Sequence, residues 1–297
     1  MKLPAPTLEQ RWIDVGGQRR SYRLALPQNL PAPLVICFHG LGIPVAAMER
    51  WTGLAARGLK AGFLVVYPEG AHEIWDDQGQ GRRDGLDDGA FVAALVEGLR
   101  NEGLAGDELT LAGLSNGAFF AERLAREGVV QPRQLVLVAG TARALSRART
   151  PVPQSSPAVM AILGTGDPYV PYFGGRPHGL TSWLARRRVR ASLLTLPTRE
   201  VAPAEEVLGD WAAVAQAQRD QGSMELPVEG RDPPARVTTW SRDSDPRVTL
   251  VTVEGGGHAW PGGPRYLPSL LIGRVALHLD ATGMLLDWAR GHPIGPG

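Results

Sequence analysis

The sequence predicts an α/β fold, with an eight-stranded, mostly parallel, doubly wound sheet and helices on both faces. Three observations predict it. Short runs rich in Val, Ile and Leu recur with little polar alternation, as strands buried on both faces require. Longer helical patterns lie between those runs, which is the alternation of a doubly wound sheet. At 297 residues and 43% hydrophobic content, the chain can bury one large core, so 1–297 is expected to be a single domain.

The elements follow in order. Trp12–Val15 and Ser21–Leu26 read as an antiparallel pair within 11–26, turned at Gly16-Gly17. Buried-type strands are expected at Leu34–Phe38, Phe63–Tyr67, Leu109–Leu114, Leu135–Ala139, Ala158–Leu163 and Val248–Val253. Helices are expected at Ala46–Leu59, Asp88–Arg100, Asn116–Arg126, Glu205–Arg219 and Ser269–Arg290. Asp87 and Asp88 open the second of these, where carboxylates suit the positive end of the helix dipole. Pro-rich Thr150–Pro157 reads as a loop, and 222–246, with Pro227, Pro233, Pro234 and Pro246, as a surface excursion.

Composition narrows the function classes. A net charge of +1 gives no global field for nucleic acid or an acidic membrane, so neither is expected as a partner. No apolar run reaches the length of a membrane span. The start, MKLPAPTLEQRWIDV, lacks a signal-peptide core, which implies a cytoplasmic protein if the chain is whole and a secreted one if a leader was removed. The single cysteine, Cys37, excludes an internal disulfide and reads as a small core residue. The arginines Arg186–Arg188 and Arg190 read as a solvated face. Asp84, Asp87 and Asp88 read as a helix cap with salt bridges to Arg82 and Arg83; no His or Cys spacing supports a metal, and none is expected.

Chemistry is concentrated at three strand ends. After the fifth strand comes Gly113-Leu114-Ser115-Asn116-Gly117, then a helix. This is G-x-S-x-G in its required strand-turn-helix setting, with glycines where the turn is crowded. After the seventh strand comes Gly164-Thr165-Gly166-Asp167-Pro168, and after the eighth Glu254-Gly255-Gly256-Gly257-His258. A serine nucleophile needs a base to take its proton and an acid to orient that base. Ser115, Asp167 and His258 fit those roles in the chain order Ser, Asp, His, with Asp210 and Asp243 as reserve acids. Oxyanion donors are expected from the Asn116 amide and from Phe38-His39-Gly40-Leu41-Gly42, where Leu41 is assigned and Gly42 is the fallback. Trp75 and Trp260 are candidates to line a pocket, each able to be core instead, and His39 is expected to shape its loop or touch substrate.

The segments LVICFHGLG, FLVVYPEG, GRRDGLDDGAF, GLSNGA, GTGDPYVPY and GGGHAWPGG, in that order across about residues 12–290, resemble the polyhydroxybutyrate depolymerase and feruloyl esterase group of the α/β-hydrolase superfamily. That resemblance implies a serine esterase with a Ser115-His258-Asp167 triad. It needs no cofactor, and its partner is a small-molecule or oligomeric ester, such as a hydroxyalkanoate oligoester or polyester. Feruloyl or acetyl-xylan esters are the alternative substrates. The chain departs from the group in having no cysteine after Trp211 and no separate surface-binding module. A serine peptidase of the same fold and a non-catalytic binding protein on a hydrolase fold are the rival classes. The first lacks its usual gating domain here, and the second would ordinarily lack a triad member.

Overall fold

Leu34, Ile36 and Phe38 point to one side of a strand and Val35 and Cys37 to the other, and all five are buried. Such a strand needs a helical layer on each face. The structure, a computed structural model, describes residues 8–79, 85–153, 156–177, 200–228 and 230–294. The strands are β1 (Glu9–Val15), β2 (Gln18–Ala25), β3 (Ala32–Phe38), β4 (Leu64–Pro68), β5 (Ala105–Leu114), β6 (Gln134–Val138), β7 (Ala158–Gly164), β8 (Gln218–Arg219), β9 (Met224–Leu226), β10 (Ala235–Arg242) and β11 (Asp245–Val253). They form one sheet in the order β1-β2-β4-β3-β5-β6-β7-β11-β10-β8, with β9 also on β10.

From β4 across to β11 the pairs are parallel, while β1, β2, β8, β9 and β10 pair antiparallel. One face is covered by α3 (Asp88–Asn101), α4 (Asn116–Arg126) and α6 (Ala204–Val214). The other is covered by α1 (Val45–Thr52), α2 (Leu54–Lys60) and α8 (Ala281–Ala289). The chain leaves β3 for β4 on one side and β5 for β6 on the other. The crevice over the carboxyl ends of β3 and β5 is therefore a topological switch point, where open α/β sheets place their ligands. Among the described residues, no helix is long and apolar enough to cross a membrane.

The eight expected strands are present, but the sheet has eleven: β9 and β10 come from the expected excursion at 222–246, and β8 from the end of the expected helix Glu205–Arg219, which stops at Val214. Ala235, Val237 and Trp240 are buried along β10, which pairs with β11 through a tight turn at Asp243-Ser244. Both turn residues have positive φ, 52° and 66°, as a two-residue hairpin requires. The prolines that pointed to a loop fall mostly between strands, and Pro246 sits at the start of β11, where a missing N–H is tolerated.

Two expected helices are each divided. Gly53, at φ 57°, ends α1 and starts α2. The expected helix 269–290 is α7 (Ser269–Ile272), then irregular chain from Gly273 at φ 80°, then α8. A further helix, α5 (Ala144–Arg149), lies between the expected strand Leu135–Ala139 and the expected loop Thr150–Pro157, where no element was expected. At the start of α3, Asp87 accepts the Ala90 N–H at 2.9 Å, while Asp88 is buried against Arg20 at 2.8 Å. The arginines at 186–190 and the group Arg82, Arg83 and Asp84 lie outside the described residues.

Candidate active site

β5 delivers Ser115 to the switch point at φ 55°, ψ −118°, a conformation that L-residues avoid and that a surrounding fold must enforce. The Ser115 N–H donates to the Val138 carbonyl at 2.9 Å. Its own carbonyl accepts from Ala118 N–H at 2.9 Å and Phe119 N–H at 3.0 Å, so α4 starts at once. A Cβ on Gly113 would strike the Gly117 backbone, and one on Gly117 would strike the Phe38 carbonyl. Both glycines of the motif are thus required by close backbone packing.

Asp167 lies three residues beyond β7, in a turn that its own side chain closes. Oδ1 accepts the Tyr169 and Val170 N–H groups at 2.8 and 2.9 Å. Oδ2 accepts from His258 Nδ1 at 2.7 Å. The carboxylate is 2% exposed and the imidazole 10%. With Nδ1–H committed to Asp167, the neutral ring leaves Nε2 as a bare acceptor.

β5, β6, β7 and β11 are consecutive in the sheet, so Ser115, Asp167 and His258 share one edge. Phe119 of α4 packs with Val170 and Tyr169 and joins the serine turn to the acid turn. The structure brings Asp167 and His258 into contact. Ser115 Oγ stands without a hydrogen bond to the imidazole or to any other described residue.

The loop after β3 faces the same crevice. Gly42 N–H donates to the Glu73 carbonyl at 2.9 Å, so the fallback oxyanion donor is already occupied. The Leu41 and Asn116 amides have no acceptor among the described residues. The Asn116 side chain is buried and accepts Trp75 N–H at 2.8 Å while donating to the Trp75 carbonyl at 3.2 Å. It thereby fixes the loop after β4 against the start of α4.

Of the readings open for the three substrate-binding candidates, the structure matches core packing for Trp75 and Trp260 and loop shaping for His39, and shows none of them exposed to a ligand. Trp75 is fully buried, donates from Nε1 to the His39 carbonyl at 3.1 Å and stacks on Phe120 at 4.9 Å; it is core. Trp260 is 3% exposed and donates to Thr282 Oγ1 at 3.0 Å. His39 is 1% exposed, with Nδ1 against the Gly40 carbonyl and Nε2 accepting Gly70 N–H, both at 2.9 Å. Burial lowers the His39 pKa and keeps the ring neutral.

Cys37 is also buried, which raises its thiol pKa and leaves it inert. Asp210, a reserve acid, is held in α6 by Arg147 at 2.7 Å, and Asp243 is an exposed turn residue.

The aromatic groups that do contact His258 are Tyr169, 5.2 Å from its ring, and Tyr266, whose hydroxyl donates to its backbone carbonyl at 2.6 Å. Tyr169 lies two residues past the acid within GTGDPYVPY, and that position was its only signal; Tyr266 had none.

No family model matches the chain. It is 30% identical over 295 residues to a protein of Nocardia uniformis subsp. tsuyamanensis named "Putative esterase NocK", a match covering 96% of this chain and 83% of that one. Among solved structures, an acetyl xylan esterase from Aspergillus awamori superposes with a TM-score of 0.56 at 15% identity, covering 84% of this chain and 94% of its own. The native form of sOPH gives a TM-score of 0.51 at 13% identity over 86% and 83%. A thermostable esterase aligns over 55% of this chain and only 48% of its own. The first two likenesses place the architecture in the α/β-hydrolase fold, with three antiparallel strands added beyond β11 at one edge.

Proposed function

The chain belongs to the same esterase family as the Nocardia protein, and on that footing we propose that it is a serine carboxylic-ester hydrolase acting on hydroxyalkanoate oligoesters or polyesters. The observation that carries this reading is the 2.7 Å contact between His258 Nδ1 and the buried Asp167 carboxylate, on the sheet edge where Ser115 is held in a strained turn. Asp167 accepts hydrogen bonds from two backbone N–H groups and one imidazole N–H, which fix the carboxyl group in place. An imidazole so oriented presents Nε2 to the serine.

In this reading His258 Nε2 takes the Ser115 proton as Oγ attacks the ester carbonyl carbon. The imidazolium that forms is balanced by Asp167. The Leu41 and Asn116 N–H groups receive the oxyanion. When the carbonyl reforms, the alcohol departs with the proton from His258. A water then repeats the sequence on the acyl-serine and frees the acid. Each proton moved is returned, and no cofactor enters.

An aliphatic ester substrate is supported by the side chains on the surrounding loops. Leu41, Phe173, Leu267 and Leu270 are exposed and apolar on the loops that leave β3, β7 and β11, which also carry the half-buried Tyr169 and Tyr266.

The test is turnover of 3-hydroxybutyrate oligomers beside methyl ferulate, acetylated xylan and a peptide anilide, with Ser115→Ala as control. Loss of the nucleophile should lower kcat by about 10⁶. An organophosphonate should label Ser115 stoichiometrically. More than a few per cent residual activity in Ser115→Ala would overturn the assignment. Selectivity above about a hundredfold for ferulate or acetylxylan would replace the proposed substrate.

A further inference from the structure

The backbone of His258 is held from both sides. Its N–H donates to the Ile272 carbonyl at 2.5 Å, and the preceding Gly257 N–H donates to the Arg274 carbonyl at 2.7 Å. Its carbonyl accepts the Tyr266 hydroxyl at 2.6 Å. Only that last bond comes from a side chain, and the side chain is itself anchored. The Tyr266 ring stacks on Trp51 with centroids 4.4 Å apart and planes 18° from parallel.

Trp51 sits in the last turn of α1, the helix that begins directly after the oxyanion loop. A second path runs alongside: Thr52, next in α1, offers its carbonyl to Thr282 Oγ1 at 2.6 Å, and Thr282 in turn accepts Trp260 Nε1. α1 thus grips the histidine loop twice, at residue 258 through Tyr266 and at residue 260 through Thr282.

We propose that Tyr266 is the positioning residue for the general base, its hydroxyl holding the His258 carbonyl while Trp51 backs its ring, so that the imidazole stands in fixed register with the oxyanion loop. This rests on the reading of His258 as the base. The Tyr266 hydroxyl is suited to the task. Burial, with the Asp167 carboxylate nearby, pushes it well above the ordinary phenol range, so it remains a donor throughout the working range. Side chains that fix a reacting group matter because a displacement of about 1 Å can cost about a hundredfold in rate.

Tyr266→Phe removes the hydroxyl and keeps the stacked ring. With a p-nitrophenyl butyrate substrate well below the melting temperature, kcat should fall at least about tenfold while KM stays within about twofold. The rate of phosphonate labelling at Ser115 should fall in parallel, at unchanged final stoichiometry. A hydroxyl that merely stabilised the fold would lower Tm and leave kcat of the folded enzyme alone, and that result overturns the inference. A rise in KM at constant kcat overturns it too, since it makes Tyr266 a substrate contact.

Trp51→Leu, which frees the ring but keeps the hydroxyl, is the second variant should Tyr266→Phe not fold. It is expected to show the same split in smaller measure, and an unchanged kcat there counts equally against the inference. His258→Ala separates the two levels. If it retains activity, the functional reading fails. If it is inactive while Tyr266→Phe is normal, only the positioning role fails.

Discussion

His39 takes the Gly70 N–H on Nε2 and gives its own Nδ1–H to Gly40, so one neutral tautomer satisfies the loop that carries Leu41. A second proton on that ring would meet the Gly70 N–H head-on and bury a charge, and burial accordingly lowers the His39 pKa. As pH falls, the unfolded chain takes the proton first. The His39 contribution to stability is therefore whole above the unfolded value of about 6.5 and is lost as pH drops towards the folded value. His39→Gln cannot take that proton. In urea melts, the stability gap between wild type and His39→Gln should narrow between about pH 7.5 and about pH 5; a gap that ignores pH would assign the titration to another histidine. At this scale the contact between Asp167 and His258 was legible, because those two residues and Ser115 each stand in a short local pattern at the end of a strand, and the three strands share one sheet edge. Trp75 and Trp260 were not, since whether an aromatic ring faces a ligand or a core is set by neighbours distant in the chain, Phe120 and Thr282 among them.

The division of expected helix 269–290 puts weight on one residue at the start of α8. Asp280 accepts Gly283 N–H at 3.0 Å as the helix cap and pairs both oxygens with the Arg57 fork at 2.5 Å. The two effects differ in size. The ion pair is 44% and 58% exposed, so screening leaves it about a few tenths of a kcal/mol, whereas losing the cap costs about 1 kcal/mol. Asp280→Asn, which keeps a capping oxygen, should be nearly neutral, and Asp280→Ala should lose about 1 kcal/mol in thermal or urea unfolding. Equal losses in the two variants would give the ion pair the larger share. The Arg57 hydrogen bonds lower the Asp280 pKa, so its contribution is present above the ordinary carboxylate value and disappears as pH falls through the lowered one. Elements of this kind were only partly legible in the sequence. The apolar run from Ala281 marks a helix, but the break at Gly273 exists because that backbone passes against Gly257 beside His258, a contact made across the fold. β10 was missed for a similar reason. Its Val, Thr and Trp residues have strand character, yet prolines before and after it masked a strand that β11 stabilises.

Across the whole molecule, the order β4-β3-β5 opens one crevice, and Ser115, the proposed nucleophile, and both expected oxyanion amides stand at its mouth, at the ends of β3 and β5. With a net charge of +1, no global field draws an ionic substrate to that mouth, so selection falls to local surface. The loops leaving β3, β7 and β11 expose Leu41 at 40%, Phe173 at 78%, Leu267 at 40% and Leu270 at 87%. Large apolar side chains that cost solvation when bare are expected to be covered when an elongated ester lies across the crevice, and each methylene they bury is worth about 0.8 kcal/mol. An acetyl ester has only a methyl group to bury, whereas a hexanoate has five carbons beyond its carbonyl. Replacing Phe173 and Leu270 together by serine should therefore raise KM for a hexanoate ester by about threefold to tenfold, while KM for the acetate moves less than about twofold. Because both side chains are exposed, folding should survive within about 0.5 kcal/mol per site, and kcat on acetate reports that the reacting groups are undisturbed. An equal shift for both esters would mean that these residues shape the crevice as a whole rather than hold the chain of the substrate.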